Sequence, residues 1–316
     1  MANRIDPRIA VTVSDLMLTK QSSGEFTLPS SHHIVSRLSG GHLSGYRGRG
    51  LDFEEFRQYQ SGDDVRNIDW LVTMKTNQPH LRIFQEEKDR SVLFCVDHSR
   101  HMFFSTLETM KSVVVAHVMA ACSWQVLRQG DRVGAMVFGD NSSDWFPPRR
   151  SQGELLNVFR ALAERGLDLA KKDDSRKTSE PEYNLDHALY RLSLKKPKGA
   201  LIVLISDFSD FDSQSIRRLT QLKRHNDLMC IAVQDPMEQS LLVDETLCFS
   251  DGEYQIAIEP GFAAKIANYN SSWQRRQRDV KVSLQSMGIP YVELDTSGEH
   301  LFQLTAQLNG GKNVKK

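Results

Sequence analysis

Four short runs of almost purely apolar sequence, each cut off by a polar or glycine turn and separated by stretches of helical periodicity, leave this chain few folds to adopt. The runs cover residues 91–96, 133–138, 200–205 and 228–233. β-Branched and aromatic residues fill them without polar alternation, the pattern of strands covered on both faces. Between them Leu107, Met110, Val114, Val118 and Ala121 recur at helical spacing, up to a stop at Gly130. Leu155, Leu156, Phe159 and Leu162 mark a second helix. A short helix is expected over 185–194, one over 213–225 capped by Asp212, and a long one over 262–287 before a last strand at Tyr291-Val292-Glu293-Leu294. Trp145 to Pro148 predicts a short edge hairpin, since two prolines exclude a central strand. Residues 246–258 read as a hairpin turning at Asp251-Gly252. Strands joined through helices of roughly ten or more residues require right-handed crossovers. The expected fold class is therefore α/β, a doubly wound, mostly parallel sheet over residues 90–311. Residues 1–89 lack this pattern and are expected to form an irregular or β-rich N-terminal extension.

Charge excludes some functions. Lysine plus arginine and aspartate plus glutamate each number 40, so the chain has no global field to draw in nucleic acid or an anionic membrane. Local basic clusters at Lys195-Lys196, Arg217-Arg218 and Arg275-Arg276-Gln277-Arg278 read as solvated helix faces. No stretch approaches the roughly 20 apolar residues of a membrane span, and residues 1–27 lack a signal-peptide core. The expectation is a cytoplasmic protein without direct membrane insertion. Cys95, Cys122, Cys230 and Cys248 form no C-x-x-C pair and read as reduced core thiols. Residues 166–183 hold a run of charged and polar residues with almost nothing apolar, and read as a mobile surface loop.

Ligands of doubly wound sheets sit beyond the carboxyl ends of the strands. Asp97 and Asp207 both follow buried runs and are the first candidates. In Asp97-His98-Ser99-Arg100-His101, an Asp-x-Ser-x-Ser would present a carboxylate and two hydroxyls from one tight loop. A second Asp and a Thr from other loops would complete an oxygen cradle for Mg²⁺. This resembles the metal-ion-dependent adhesion site of the von Willebrand factor A domain. Asp97 and Ser99 match its first two positions, His101 stands at the third, and Asp207 matches the distal Asp. Tyr183 stands where the family has Thr. Imidazole is a poor Mg²⁺ ligand but suits Zn²⁺, Ni²⁺ or Fe²⁺. Three states follow: a metal-free remnant, weakly bound Mg²⁺, or a transition metal on Asp97, His101 and Asp207. Asp210 could supplement the site.

A second resemblance is carried by Gly48-Arg49-Gly50-Leu51-Asp52-Phe53, Arg57-Gln58-Tyr59 and Gly62-Asp63-Asp64-Val65-Arg66-Asn67-Ile68-Asp69-Trp70. These segments resemble the signature of the bacterial "domain of unknown function 58" family, whose members carry an A-like domain after it. Read on their own chemistry, Arg49, Asp52, Arg57, Asp63, Asp64, Arg66 and Asp69 suggest an Arg–carboxylate network pinning the extension to the main domain. Phe53, Tyr59 and Trp70 would then lie in the core. The alternative is a docking surface.

The family resemblance implies work alongside a MoxR-type AAA+ ATPase on client proteins. The leading expectation is a non-catalytic adaptor whose partner-binding face comprises Asp97, Ser99, His101, Tyr183, Asp207 and Asp210. The alternative is a metal-dependent hydrolase using His101, Asp97 and Asp207. Adjacent Asp97, His98 and Ser99 cannot point along one relay, and no G-x-S-x-G elbow exists, so a serine triad is excluded. No P-loop motif is present, and Gly45, Gly48 and Gly50 precede no helix as a dinucleotide site would require. Oligomeric state is not encoded in any motif.

Overall fold

A computed structural model describes residues 6–22, 26, 28, 51–60, 63–86, 90–170, 184–241, 247–250, 255–258 and 263–309. The chain divides into two compact units. One is Met1–Ser31 with Arg90–Lys316, the other His32–Asp89. The cut at Asp89/Arg90 coincides with the expected boundary, but the N-terminal helix α1 (Val13–Ser22) groups with the larger unit and not with the extension. Leu16 of α1 is fully buried, and its carbonyl accepts a hydrogen bond from the Trp124 indole at 3.2 Å.

The smaller unit is built on an antiparallel pair, β1 (Leu51–Gln58) and β2 (His80–Glu86), with a bulge between Phe53 and Glu55. Helix α2 (Trp70–Thr76) lies between them in sequence. The β-rich expectation holds for this unit. Arg57 pairs with Asp63 of the same unit at 2.8 Å, and the other Asp63 oxygen accepts the Gln60 amide. Asp64 caps a 3-10 turn through the Arg66 amide, and buried Asp69 caps α2 through the Leu71 and Val72 amides. The Tyr59 amide donates to the Pro79 carbonyl. Asp52 and Phe53 pair through the backbone with Gln85 and Phe84. Arg49 and Gly62 lie outside the described residues. Trp70 was expected in the core but is 66% exposed, beside exposed Leu71 and Met74. Helix α2 has no buried residue, so its apolar side chains add nothing to a core.

The larger unit holds a six-stranded sheet in the order β10-β7-β6-β3-β4-β5. Its strands are β3 (Ser91–Asp97), β4 (Arg132–Phe138), β5 (Ser143–Arg149), β6 (Ala200–Ser206), β7 (Asp227–Gln234) and β10 (Tyr291–Asp295). All neighbours are parallel except β5, the antiparallel edge strand that carries Pro147 and Pro148. A separate hairpin pairs β8 (Leu247–Ser250) with β9 (Gln255–Ile258), while Asp251 and Gly252 lie outside the described residues. Alternate side chains of each strand feed two cores. Val92, Phe94 and Val96 face one side with α1, α3 (Lys111–Arg128), α4 (Gln152–Ala170) and α9 (His300–Leu308). Leu93 and Cys95 face the other with α5 (Leu185–Leu194), α6 (Ser213–Lys223) and α8 (Ala263–Ser286). The doubly wound expectation is met.

Three details differ from the sequence pattern. Leu107 precedes α3 and is half exposed. Helix α4 runs on through Gly166 to Ala170, into the segment read as a loop, and its Gly166 packs against His98 and Ala10. Residues 171–183 lie outside the described residues. Cys95, Cys122 and Cys230 are buried as expected, but Cys248 is exposed.

His117 on α3 and His300 at the start of α9 stack in the first core, Nδ1 to Nε2 at 3.1 Å. Burial, then the charge of His117, pushes the His300 pKa down to about 3, and burial lowers that of His117 despite Asp15. Asp295 opposes the shift on His300. Both folded pKa values lie below the unfolded value near 6.5, so the unfolded chain takes up protons that the folded chain refuses. The contribution of this pair is complete above pH ~6.5 and is lost as pH falls, by about 1.4 kcal/mol per pH unit for His300. Urea midpoints measured at pH 7 and pH 5 are expected to differ accordingly, and His300→Phe is expected to flatten the difference.

Candidate functional site at the carboxyl edge of the sheet

Strands β3 and β6 are neighbours in register, Val96 beside Ile205, so Asp97 and Asp207 emerge side by side at the carboxyl edge. Both are buried. The chain after Asp207 turns sharply, with Phe208 held at φ 58°. A bulky residue in the left-handed region costs roughly 1–2 kcal/mol, and burial of its ring against Phe211 and Tyr291 offsets that cost. The turn returns the Ser209 amide to Asp207 Oδ1 at 2.9 Å.

The carboxylates are closely bound. Asp97 Oδ1 accepts the Ser99 amide at 3.1 Å and the Ser99 hydroxyl in a short bond. Asp97 Oδ2 accepts the Ser206 hydroxyl at 2.6 Å. His101 stands between the two acids, Nε2 at 3.4 Å from Asp97 Oδ2 and 3.3 Å from Asp207 Oδ1. Its ring nitrogens each lie 3.1 Å from the Ser99 hydroxyl. Burial opposes a charge on His101, but the hydrogen bonds to Asp207 and Asp97 outweigh it and raise the pKa to about 11. One third of its side chain remains exposed.

Behind this trio lies a residue the sequence reading passed over. Lys111, the first residue of α3, is 1% exposed, and its ammonium donates to Asp207 Oδ2 and Glu238 Oε1, each at 2.8 Å. Burial opposes its charge most strongly, yet Asp207 and Glu238 outweigh burial and raise its pKa. Burial raises the Asp207 carboxyl, but His101 and Lys111 together hold it far below the usual carboxylate range. The signal for Lys111 was present in the sequence. A helix that is apolar all round is buried, and a lysine opening it must bring a partner. Asp235 was missed as well. It closes β7 and caps α7 (Pro236–Gln239) in a reciprocal capping box with Glu238. It also accepts the Thr106 amide and hydroxyl and the Thr296 hydroxyl at 2.7 Å, tying together the loops after β3, β7 and β10.

Asp210 lies on the exposed turn after β6. Burial, with Asp97 and Asp207, raises its carboxyl against the opposing charges of His101 and Arg276. Asp212 caps α6 through the Gln214 and Ser215 amides, as expected. Tyr183 lies outside the described residues, while Asn184 caps α5 through the His187 amide. Beside Asp207 and Glu238 opens a cleft of about 180 Å³ walled by Tyr269, Trp273 and Arg276.

Asp97, His101 and Asp207 can bring one ligand atom each within 4.8 Å of one another, the only such acidic or histidine trio among the described residues. This donor set does not fit Mg²⁺, which prefers octahedral oxygen. The bridging position holds an imidazole, and Asp207 already carries an ammonium.

Acidic residues at the carboxyl ends of two neighbouring strands of a mostly parallel sheet define a doubly wound α/β domain with its candidate site at the strand ends. The chain belongs to the family described as "Protein of unknown function DUF58", which matches residues 55–278. Uncharacterized protein Rv1480 of Mycobacterium tuberculosis is 24% identical over 302 residues, covering 94% of this chain and 87% of its own. Uncharacterized protein Mb1516 of Mycobacterium bovis matches equally. Among solved structures, BatB from Bacteroides thetaiotaomicron is 13% identical, covering 70% of this chain and 97% of its own, with a TM-score of 0.38. A von Willebrand factor type A protein from Catenulispora acidiphila is 9% identical, covering 72% of this chain and 44% of its own, with a TM-score of 0.31. No helix among the described residues is long and apolar enough to cross a membrane.

Proposed function

We propose that the chain is a non-catalytic interaction module that presents the carboxyl-edge face around Asp97, Ser99, His101, Asp207 and Asp210 to a partner protein. In this reading it serves a MoxR-type AAA+ ATPase and that ATPase's clients. One observation carries the proposal: the buried acids are bound by donors of the chain itself. Asp97 is engaged by Ser99 and Ser206, Asp207 by Ser209 and Lys111, and Glu238 by Lys111 and the Asp235 amide. A general base or nucleophile needs a reactive lone pair aimed at substrate, whereas these acids build a rigid surface. Half-buried His101, which keeps one third of its side chain exposed, and exposed Asp210 are charged groups of that surface within reach of a partner's side chains.

The test is a pull-down with a purified MoxR-type AAA+ ATPase from the same organism, comparing wild type with His101→Ala/Asp210→Ala. Capture is expected to weaken about tenfold or more, the effect of losing a contact worth at least ~1.4 kcal/mol. Circular dichroism should stay unchanged. Undiminished capture by a folded double variant would count against this face.

A further inference from the structure

We infer that Lys111 is a resident cation of the site: its ammonium holds Asp207 and Glu238 together, and the carboxyl edge assembles without a divalent ion.

The placement of the lysine is the first support. Helix N-termini carry partial positive charge and favour anions. Lys111 opens an 18-residue helix whose first turn contains no acidic residue. Its charge is therefore misplaced for the helix and buried as well. Removing an ammonium from water is tolerated only when carboxylates meet it closely, and two do so, both at 2.8 Å. Phe104 closes another side, its ring centroid 5.7 Å from Nζ.

The oxygen inventory is the second support. Every carboxylate oxygen of Asp97, Asp207 and Glu238 faces a donor of the chain, and the hydroxyls of Ser99 and Ser206 are directed at Asp97. A divalent ion on Asp207 Oδ1 would displace the His101 ring. It would also stand beside a fixed ammonium in a weakly screened interior, where like charges repel strongly. The acids are already neutralised from within. This inference goes beyond the partner-binding proposal and holds whether or not that face binds an ATPase, because its test involves no partner.

The experiment uses the full chain. Metal content is measured after dialysis, and melting temperature is recorded in EDTA and in excess MgCl₂, MnCl₂ or ZnCl₂. The wild type is expected to carry far less than one metal ion per chain and to melt at the same temperature in all four solutions. Lys111→Met, which leaves two acids without their counter-charge, is expected to melt roughly 5–10 °C lower in EDTA and to regain part of that loss in MnCl₂. Stoichiometric metal in the wild type, or a wild-type melting temperature raised by any of the three ions, would overturn the inference. So would a Lys111→Met chain as stable as wild type in EDTA. If that variant does not fold, the wild-type measurements decide alone.

Discussion

Asp235→Ala is expected to lower stability by about 4 kcal/mol, the largest effect of any single polar substitution at this edge. Asp235 is fully buried and accepts from the Thr106 amide, the Thr106 hydroxyl, the Thr296 hydroxyl and the Met237 amide. Removing the carboxylate leaves all four donors without it in a site that water cannot easily enter. Hydrogen bonds to a charged acceptor contribute about 1.5–3 kcal/mol each, and they do not add fully because the loops can relax. Asp235→Asn retains two lone pairs and is expected to recover about half of the loss. Urea denaturation measures both. A loss below ~1 kcal/mol for the alanine variant would mean that the three loops are held by their packing alone.

The second large effect is expected from Gly134→Ala. Gly134 lies in the middle of β4, where the pairing with β5 shifts register between Val133 and Ala135. A Cβ there would stand 2.8 Å from Leu93 Cδ2, 2.8 Å from the Pro148 nitrogen and 2.9 Å from the Phe146 carbonyl oxygen. Two of the three obstacles are backbone atoms and cannot rotate away. The methyl must push β5 off the sheet, at about 3 kcal/mol. The expected signature is a lower urea midpoint together with faster proteolysis at Trp145 and Phe146, residues of the loosened edge. Gly153→Ala, whose Cβ would meet nothing closer than 3.6 Å, is the matched control and should leave stability within ~0.5 kcal/mol.

The strands were legible because each carries its burial in its composition. Runs such as Ala200-Leu201-Ile202-Val203-Leu204-Ile205 allow no other placement than a central strand. Asp97 and Asp207 were legible because strand ends are read directly from where those runs stop. Lys111 was not found, because the periodic positions Met110, Val114 and Val118 drew attention to the helix face while the lysine between them looked like a solvated flank. Its partners come from residues 96 and 127 positions away in sequence, a separation that no local pattern encodes. Asp235 was not found, since its accepting role depends on Thr106 and Thr296 arriving from other loops. Trp70 was placed inside on hydrophobicity alone, and that argument fails for a short helix none of whose residues is buried. The join of residues 6–22 to the larger unit was invisible for a related reason. Leu16 shares the short run Leu16-Met17-Leu18 with two exposed residues, so nothing local marks it as the one that is buried beside Trp124.

The staple at Asp235 has a consequence for recognition. Three loops bound to one buried acid are already ordered before any encounter, so a partner meeting this edge has little conformational freedom left to freeze. Association should then resemble the docking of two rigid bodies, with most of the favourable free energy appearing as affinity and little spent on folding the surface into shape.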